Sequence, residues 1–384
     1  MKIVFVSNYF NHHQSAVCEE FYKKTGGNFV FIQTQEMAAD RKALKWGMEE
    51  LPEYVKLSYS DENAYEECQK LIFEADVVIM GSAPECMIKR RMKAKKFTFR
   101  YSERIYKKAE KLWQLPLRMV KYHLTNTKNT HLLCASAYAA ADYAKTFNFL
   151  NRTYKWGYFP KFIEYENIEK MVAEKEPNSI LWVGRLIELK HPEKVVEVAE
   201  MLKGKGCSFD INIVGIGPME DELKRRVEEK NLAKCVHFRG AVTPEKVREY
   251  MCKSEIYVFT SDFNEGWGAV LYEAMNAGCG VVASHAIGAV PYLLADGENG
   301  YIYENENTDD LCNKVSLLFD NKEQREKMGV NAYHTIEKHW APSVAVDRFL
   351  KLTGSLLNGG KDEFEKGVCS KAERLRNDWY KAGI

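Results

Sequence analysis

Apolar residues along the chain arrive in short bursts, and amphipathic stretches separate them. Ile3 to Val6, Phe29 to Ile32, Val55 to Leu57, Val77 to Met80 and Leu132 to Ala135 are compact apolar runs that predict buried strands. Gln14 to Lys24, Glu62 to Phe73 and Tyr138 to Thr146 carry helical spacing between them. A second series follows the same rule. Ser179 to Val183, Ile211 to Val214, Val236 to Arg239, Ile256 to Thr260 and Val281 to Ala283 are rich in β-branched residues. Helical patterns over Pro192 to Leu202, Met219 to Lys230, Pro244 to Lys253 and Ala269 to Ala277 intervene, the last stopped by Gly278. Such alternation predicts an α/β chain whose parallel sheets are covered by helices on both faces.

The two series predict two Rossmann-like domains, over 1–158 and 178–356, joined by a polar, Pro-bounded linker over 159–177. From Thr308 the pattern is almost wholly helical, and 357–384 is expected to return to the N-terminal domain. At 384 residues the chain exceeds what one ordinary core accommodates. Lysine and arginine total 55 against 54 acids, so no global field favours nucleic acid. The apolar run at the N-terminus is too short for a secretion signal, and no segment reaches the ~20 apolar residues of a membrane span. Ten cysteines lie scattered, none within four positions of another, which excludes zinc-knuckle and CxxC spacings and fits reduced thiols in a cytoplasmic protein.

Open parallel sheets bind ligands at the carboxyl ends of their strands, so the strand exits are where chemistry is expected. At the first exit of the second series, Gly184 is followed by Arg185 and Lys190 before a helix. Two cations there suit a diphosphate at a helix N-terminus; alternatively they are surface charges on a loop. A second exit, after Thr260, delivers Glu265, Gly266, Trp267, Gly268 and Ala269, then Glu273 in the following helix. Glycines permit close approach of backbone N–H groups, and the helix dipole favours an anion. Glu273 lies among Leu271, Tyr272, Ala274 and Met275, where a carboxylate needs partners such as ligand hydroxyls.

Gly184-Arg185 with Lys190, Val214-Gly-Ile-Gly-Pro218, Phe238-Arg-Gly-Ala-Val242, Glu265 with Glu273, Ala277-Gly278 and Gly297-Glu-Asn-Gly300 stand in the order and spacing of the family 4 retaining glycosyltransferases, which this region, Ile180 to Tyr303, resembles. The resemblance implies a GT-B fold, two Rossmann-like domains facing each other across a cleft, with the donor on the C-terminal domain and the acceptor addressed by the N-terminal one. It implies that Arg185 and Lys190 hold the donor diphosphate and that Glu273 accepts from ribose hydroxyls. Glu265 would contact the transferred sugar, Gly266 to Ala269 would position sugar and phosphate, and Gly215, Gly217 and Val242 would lie near the base. The expected reaction moves a hexose-type sugar from a UDP- or GDP-sugar to a glycan or lipid-linked acceptor, with retention. The chain has no Asp-x-Asp, the common metal-dependent donor motif, so no metal or other cofactor is expected.

The N-terminal half departs from the family pattern. A glycine-rich turn after the first strand is replaced by Asn8 to His13, leaving His12 and His13 as acceptor-side candidates, either as a base or as a hydrogen-bond donor to a phosphate; alternatively one of them caps the next helix. Where relatives place a histidine, the stretch Phe97 to Arg104 offers Arg100 or Ser102, and Ser82 follows another strand. Residues 89–111 hold eleven Lys or Arg against two Glu, interleaved with Met92, Phe97, Phe99, Tyr101 and Tyr106. That pattern suits peripheral contact with an anionic membrane, on its cytoplasmic face; the alternative is a solvated basic helix. Two other functions share this sequence: a GT-B sugar-nucleotide epimerase, and a nucleotide-sugar-binding protein without catalysis.

Overall fold

The computed structural model describes residues 1–37, 50–107, 115–361 and 364–382. The chain divides into two units, Met1–Lys161 with His339–Arg376, and Phe162–Lys338 with the residues from 377 onward.

The first unit is built on seven strands: β1 (Ile3–Ser7), β2 (Phe29–Gln33), β3 (Val55–Leu57), β4 (Val77–Met80), β5 (Thr98–Ser102), β6 (Thr130–Cys134) and β7 (Thr153–Lys155). They pair in the order β3-β2-β1-β4-β5-β6-β7. Every ladder is parallel; Ile3 faces Phe29 on one side and Val77 on the other. Because β1 is flanked by β2 and β4, the sheet order reverses there, and the exits of β1 and β4 flank the crevice where such sheets bind ligands. One core face is formed by Val4, Val6, Ile32, Val78 and Met80 with Ile72 and Ile88.

The second unit repeats the plan with six parallel strands: β8 (Glu176–Val183), β9 (Asp210–Val214), β10 (Val236–Phe238), β11 (Ser254–Phe259), β12 (Gly280–Ser284) and β13 (Tyr301–Tyr303), ordered β10-β9-β8-β11-β12-β13. Its reversal lies between β8 and β11, the two strands whose exits carry Arg185 and Glu265.

Several expectations are corrected. The first helix runs His12–Lys24, two residues earlier than the pattern suggested, because Asn11 caps it: its side chain accepts from His13 N at 3.0 Å. Neither histidine is the cap. The stretch expected as a linker contains a helix, Ile168–Ala173, capped by Asn167. The return to the first unit begins at His339, not at 357. Helix Pro342–Leu357 packs there through Phe349, whose ring meets Phe21 edge-on at 5.1 Å. Beyond it the chain is not helical until Trp379. Instead Lys155 N donates to Ser370 O (2.8 Å) and Ala372 N to Thr153 O (3.1 Å), so this segment covers the open edge of β7.

Phe97 to Arg104, not among the expected strands, contains β5 itself. The basic stretch is also less exposed than its composition suggests. Arg91, 1% exposed, makes five hydrogen bonds, to Thr98 Oγ1 and to the carbonyls of Ile72, Ala75, Asp76 and Phe97. Arg104 is buried against Asp142 at 3.3 Å. Met92, Phe97, Phe99 and Tyr106 are buried too, so they serve the core and not an outward apolar face. Lys89, Arg90, Lys93 and Lys95 remain exposed, and residues 108–111 lie outside the described residues. Among the described residues, no helix is long and apolar enough to cross a membrane.

Candidate active site

The strand exits of the second unit converge by backbone contact. Gly184 N donates to Val214 O (3.0 Å) and Leu186 N to Ile216 O (3.0 Å), fastening the β8 exit to the β9 exit. That proximity explains the glycines. A Cβ on Gly215, whose φ is +136°, would lie 1.8 Å from Gly184 O; one on Gly217 would lie 2.3 Å from Leu186 O. Their first task is therefore to let the two backbones touch, which fixes the loop carrying Arg185. Between them Ile216 is left 45% exposed, and Val242, at the β10 exit, is half-buried.

The β8 and β11 exits are joined in turn. Trp182 Nε1 donates to Thr260 Oγ1 (2.9 Å), and Thr260 Oγ1 donates to Lys190 O (2.5 Å). Asp262 N donates to Leu189 O (3.0 Å). Across this seam the Lys190 ammonium is paired with the Glu265 carboxylate, both side chains about six-sevenths buried. Glu265 is held from behind by its own N–H, which donates to Asp262 O at 3.0 Å. Arg185, by contrast, is exposed, and its guanidinium has no ion-pair or hydrogen-bond partner among the described residues.

Gly266, Trp267 and Gly268 are buried beneath the Glu265 loop. Gly268 adopts φ +89°, and a Cβ there would meet the Phe259 ring at 2.6 Å. Only glycine fits that turn, and it starts the helix Ala269–Asn276, whose first N–H groups have no acceptor within the helix. One turn on, burial pushes the Glu273 carboxyl up to about 7, with Arg248 acting in the opposite direction. No hydrogen-bond or ion-pair partner meets Glu273 among the described residues. Arg185, Lys190, Glu265, Glu273 and the Gly266–Ala269 turn thus share the two exits that flank the sheet's reversal.

In the first unit, His12 and His13 lie at the start of their helix with ring centroids 3.8 Å apart. Burial, and then the neighbouring His12, holds His13 well below the usual histidine range, so it is neutral at pH 7. Arg100 is corrected as an acceptor-side candidate. It is buried on β5, forms a two-pronged pair with Glu85 (2.9 and 2.9 Å), and donates to Asn126 Oδ1 at 2.7 Å. Its donors are committed to structure. Ser102 is likewise engaged, with Tyr143 Oη at 3.0 Å, whereas Ser82 stands exposed beyond β4.

Sequence reasoning missed the residues that hold this seam. Asp262 and Asn264 form an Asx turn, Asp262 Oδ1 accepting from Asn264 N at 2.7 Å. The Asp-x-Asn pattern was the available signal. Nothing in the sequence pointed to Thr260 or His191.

Known proteins similar to this chain fall in one class of transferase. Residues 164–335 match the family described as glycosyl transferases group 1. A poly(ribitol-phosphate) alpha-N-acetylglucosaminyltransferase of Staphylococcus aureus (strain COL) is 29% identical over 174 residues, 45% of this chain and 34% of that protein. A D-inositol 3-phosphate glycosyltransferase of Paenarthrobacter aurescens (strain TC1) is 27% identical over 172 residues, 44% and 42% of the two chains. The chain thus aligns with under half the length of these relatives. Among solved structures, Anabaena HepE in complex with UDP superposes with a TM-score of 0.67 at 15% identity, covering 91% of this chain and 100% of that one. Sucrose-phosphate synthase of Thermosynechococcus elongatus gives 0.67 at 13% identity, over 94% and 100%. The fold is GT-B, and the stretch of the C-terminal unit over 164–335 is similar to the group 1 glycosyl transferases.

Proposed function

We propose that this chain, with its GT-B fold and its similarity to the group 1 glycosyl transferases, transfers a hexose-type sugar from a UDP- or GDP-sugar to a glycan or lipid-linked acceptor. The observation that carries the reading is the seam between the β8 and β11 exits. There a paired Lys190 and Glu265, an unpaired Arg185 and an unpartnered Glu273 surround a helix N-terminus. Each has a complementary group on a nucleotide sugar. Arg185, Lys190 and the helix start oppose the diphosphate; Glu273 accepts from ribose hydroxyls; Glu265 addresses the sugar; Ile216 and Val242 offer apolar surface to the base.

Cleaving a glycosyl–phosphate bond builds negative charge on the departing diphosphate and positive charge on the sugar ring. Fixed cations stabilise the first and Glu265 the second. In a retaining reaction the acceptor attacks on the leaving-group face, and the departing phosphate oxygen takes its proton. This chemistry needs no metal, because Arg185 and Lys190 supply the counter-charge. HepE, solved with UDP, supports UDP as the nucleotide to try first. Peripheral membrane contact from the cytoplasm belongs to the same reading, carried by Lys89, Arg90, Lys93 and Lys95 as an electrostatic patch without an inserting apolar face.

Thermal denaturation with UDP-, GDP-, ADP- and dTDP-sugars tests the donor reading, since a ligand that binds only the folded state raises the midpoint. A shift with one nucleotide series is expected. No shift with any of them would remove it.

A further inference from the structure

Beside Lys190 stands a residue that the donor reading leaves unused. His191 occupies the left-handed region, φ 47° and ψ 52°, which a residue bearing a Cβ seldom enters. Its N–H donates to Glu188 O (3.0 Å) and its carbonyl accepts from Lys194 N (3.2 Å), so it closes the Glu188–Lys190 turn and leads into the helix Glu193–Gly204. This backbone places the ring between two carboxylates. Nδ1 is 2.8 Å from Glu193 Oε1, and Nε2 is 3.5 Å from Asp262 Oδ2. Nδ1 is hydrogen-bonded to Glu193, and Nε2 lies within ion-pair distance of Asp262. Asp262 and then Glu193 hold the imidazole up at about 9 against the opposing effect of burial, so it is a cation at neutral pH. Burial opposes ionisation of Asp262 as well, yet hydrogen bonds from His191 and Asn264 keep its carboxyl below the usual range.

Asp262 is the hub of the neighbouring loop. Its N–H reaches Leu189 O (3.0 Å), its carbonyl takes Glu265 N–H (3.0 Å), and its carboxylate takes Asn264 N (2.7 Å) and Nδ2 (3.0 Å). Whatever fixes Asp262 therefore fixes the backbone of Glu265. The remaining charged pair at the seam is Lys190 with Glu265. Removing the His191 charge would take from Asp262 the cation that faces it, leaving Lys194 to act on Glu193 and Lys190 on Glu265.

We infer that His191 is a positioning residue: held between Glu193 and Asp262, it locks the 188–191 turn onto the 262–265 turn and sets where Lys190 and Glu265 meet a nucleoside diphosphate sugar. The inference rests on the donor reading for its consequence, but the lock itself is independent of any ligand.

Two measurements on the full chain separate the two. The first is calorimetric titration with UDP of the wild type, His191→Asn, which tolerates the left-handed backbone without a charge, and His191→Arg, which restores a cation. The second is hydrogen exchange of the 262–265 backbone in the same three proteins without ligand. His191→Asn should weaken UDP binding on the order of tenfold and speed exchange at Glu265, with both effects partly reversed in His191→Arg. The wild type should lose affinity and protection together as the pH is raised past about 9. If His191→Asn does not fold, that wild-type pH series carries the test. Unchanged exchange in His191→Asn, or in the wild type across that pH range, overturns the inference. Wild type that ignores UDP and, in a parallel titration, GDP, while exchange still responds to His191, overturns the donor reading and leaves the lock standing.

Discussion

Lys190 and Glu265, 75 residues apart in sequence, are ion-paired across the seam where the donor-side sheet reverses its strand order. A half-exposed surface pair would contribute little. This one is mostly buried, sits between loops tied by Asp262 and Thr260, and presents opposite charges at the place where a diphosphate and a sugar ring need them.

The Glu273 carboxyl, raised by burial to about 7, is half protonated at neutral pH. Accepting hydrogen bonds from ribose hydroxyls favours its charged form and lowers that value. Nucleotide binding at pH 7 should therefore release up to about half a proton, seen by calorimetry in buffers of different ionisation heat. In Glu273→Gln the release should vanish while weaker binding persists. An identical release in the variant would assign the proton elsewhere.

The glycines of the β9 exit act through packing. Gly215→Ala and Gly217→Ala place a Cβ against backbone oxygens at 1.8 and 2.3 Å. Each should lower stability by about 2–4 kcal/mol in denaturant titration. Gly204→Ala, at the end of a helix with no atom within 4 Å of the added Cβ, is the control. It should be neutral or gain up to ~1 kcal/mol.

Arg100 and Glu85 form a structural pair, so Arg100→Met should leave a half-buried carboxylate with only Lys121 nearby and destabilise the first unit by about 1–2 kcal/mol. Nucleotide affinity per folded molecule should be unchanged. An acceptor-binding arginine would show the reverse, with intact stability and a raised acceptor KM.

Charge reversal at Lys89, Arg90, Lys93 and Lys95 leaves the buried Arg91 network untouched. If these four carry the proposed membrane contact, the variant should lose retention on anionic vesicles at low salt while keeping its melting temperature. Equal retention of both proteins, or none of either, would refute the contact.

The strands of both sheets and most of the donor-side residues were legible because each lies in one continuous segment. A β-branched run, a glycine and a charged turn need no distant partner to be read. What escaped was non-local. β5 was not among the expected strands because Arg100 and Ser102 interrupt its apolar run, and the pairing with Glu85 explains why an arginine can be buried there. The basic stretch looked like a surface because nothing in it showed that Arg91 would be saturated by carbonyls of 72–76 and Phe97. The edge of β7 is covered by residues 370–372, over 200 positions away, and His191 acquires meaning only beside Asp262. The start of the first helix was placed two residues late, because Asn11 caps a helix that begins at His12.

The most direct test is single-turnover cleavage of the nucleotide sugar that raises the melting temperature, compared among wild type, Lys190→Ala, Arg185→Ala and Glu265→Gln. The account predicts that Glu265→Gln still binds the donor, and that each cation variant loses on the order of 10²–10³ in rate without added metal restoring it. Wild-type rates in Lys190→Ala and Arg185→Ala would contradict it.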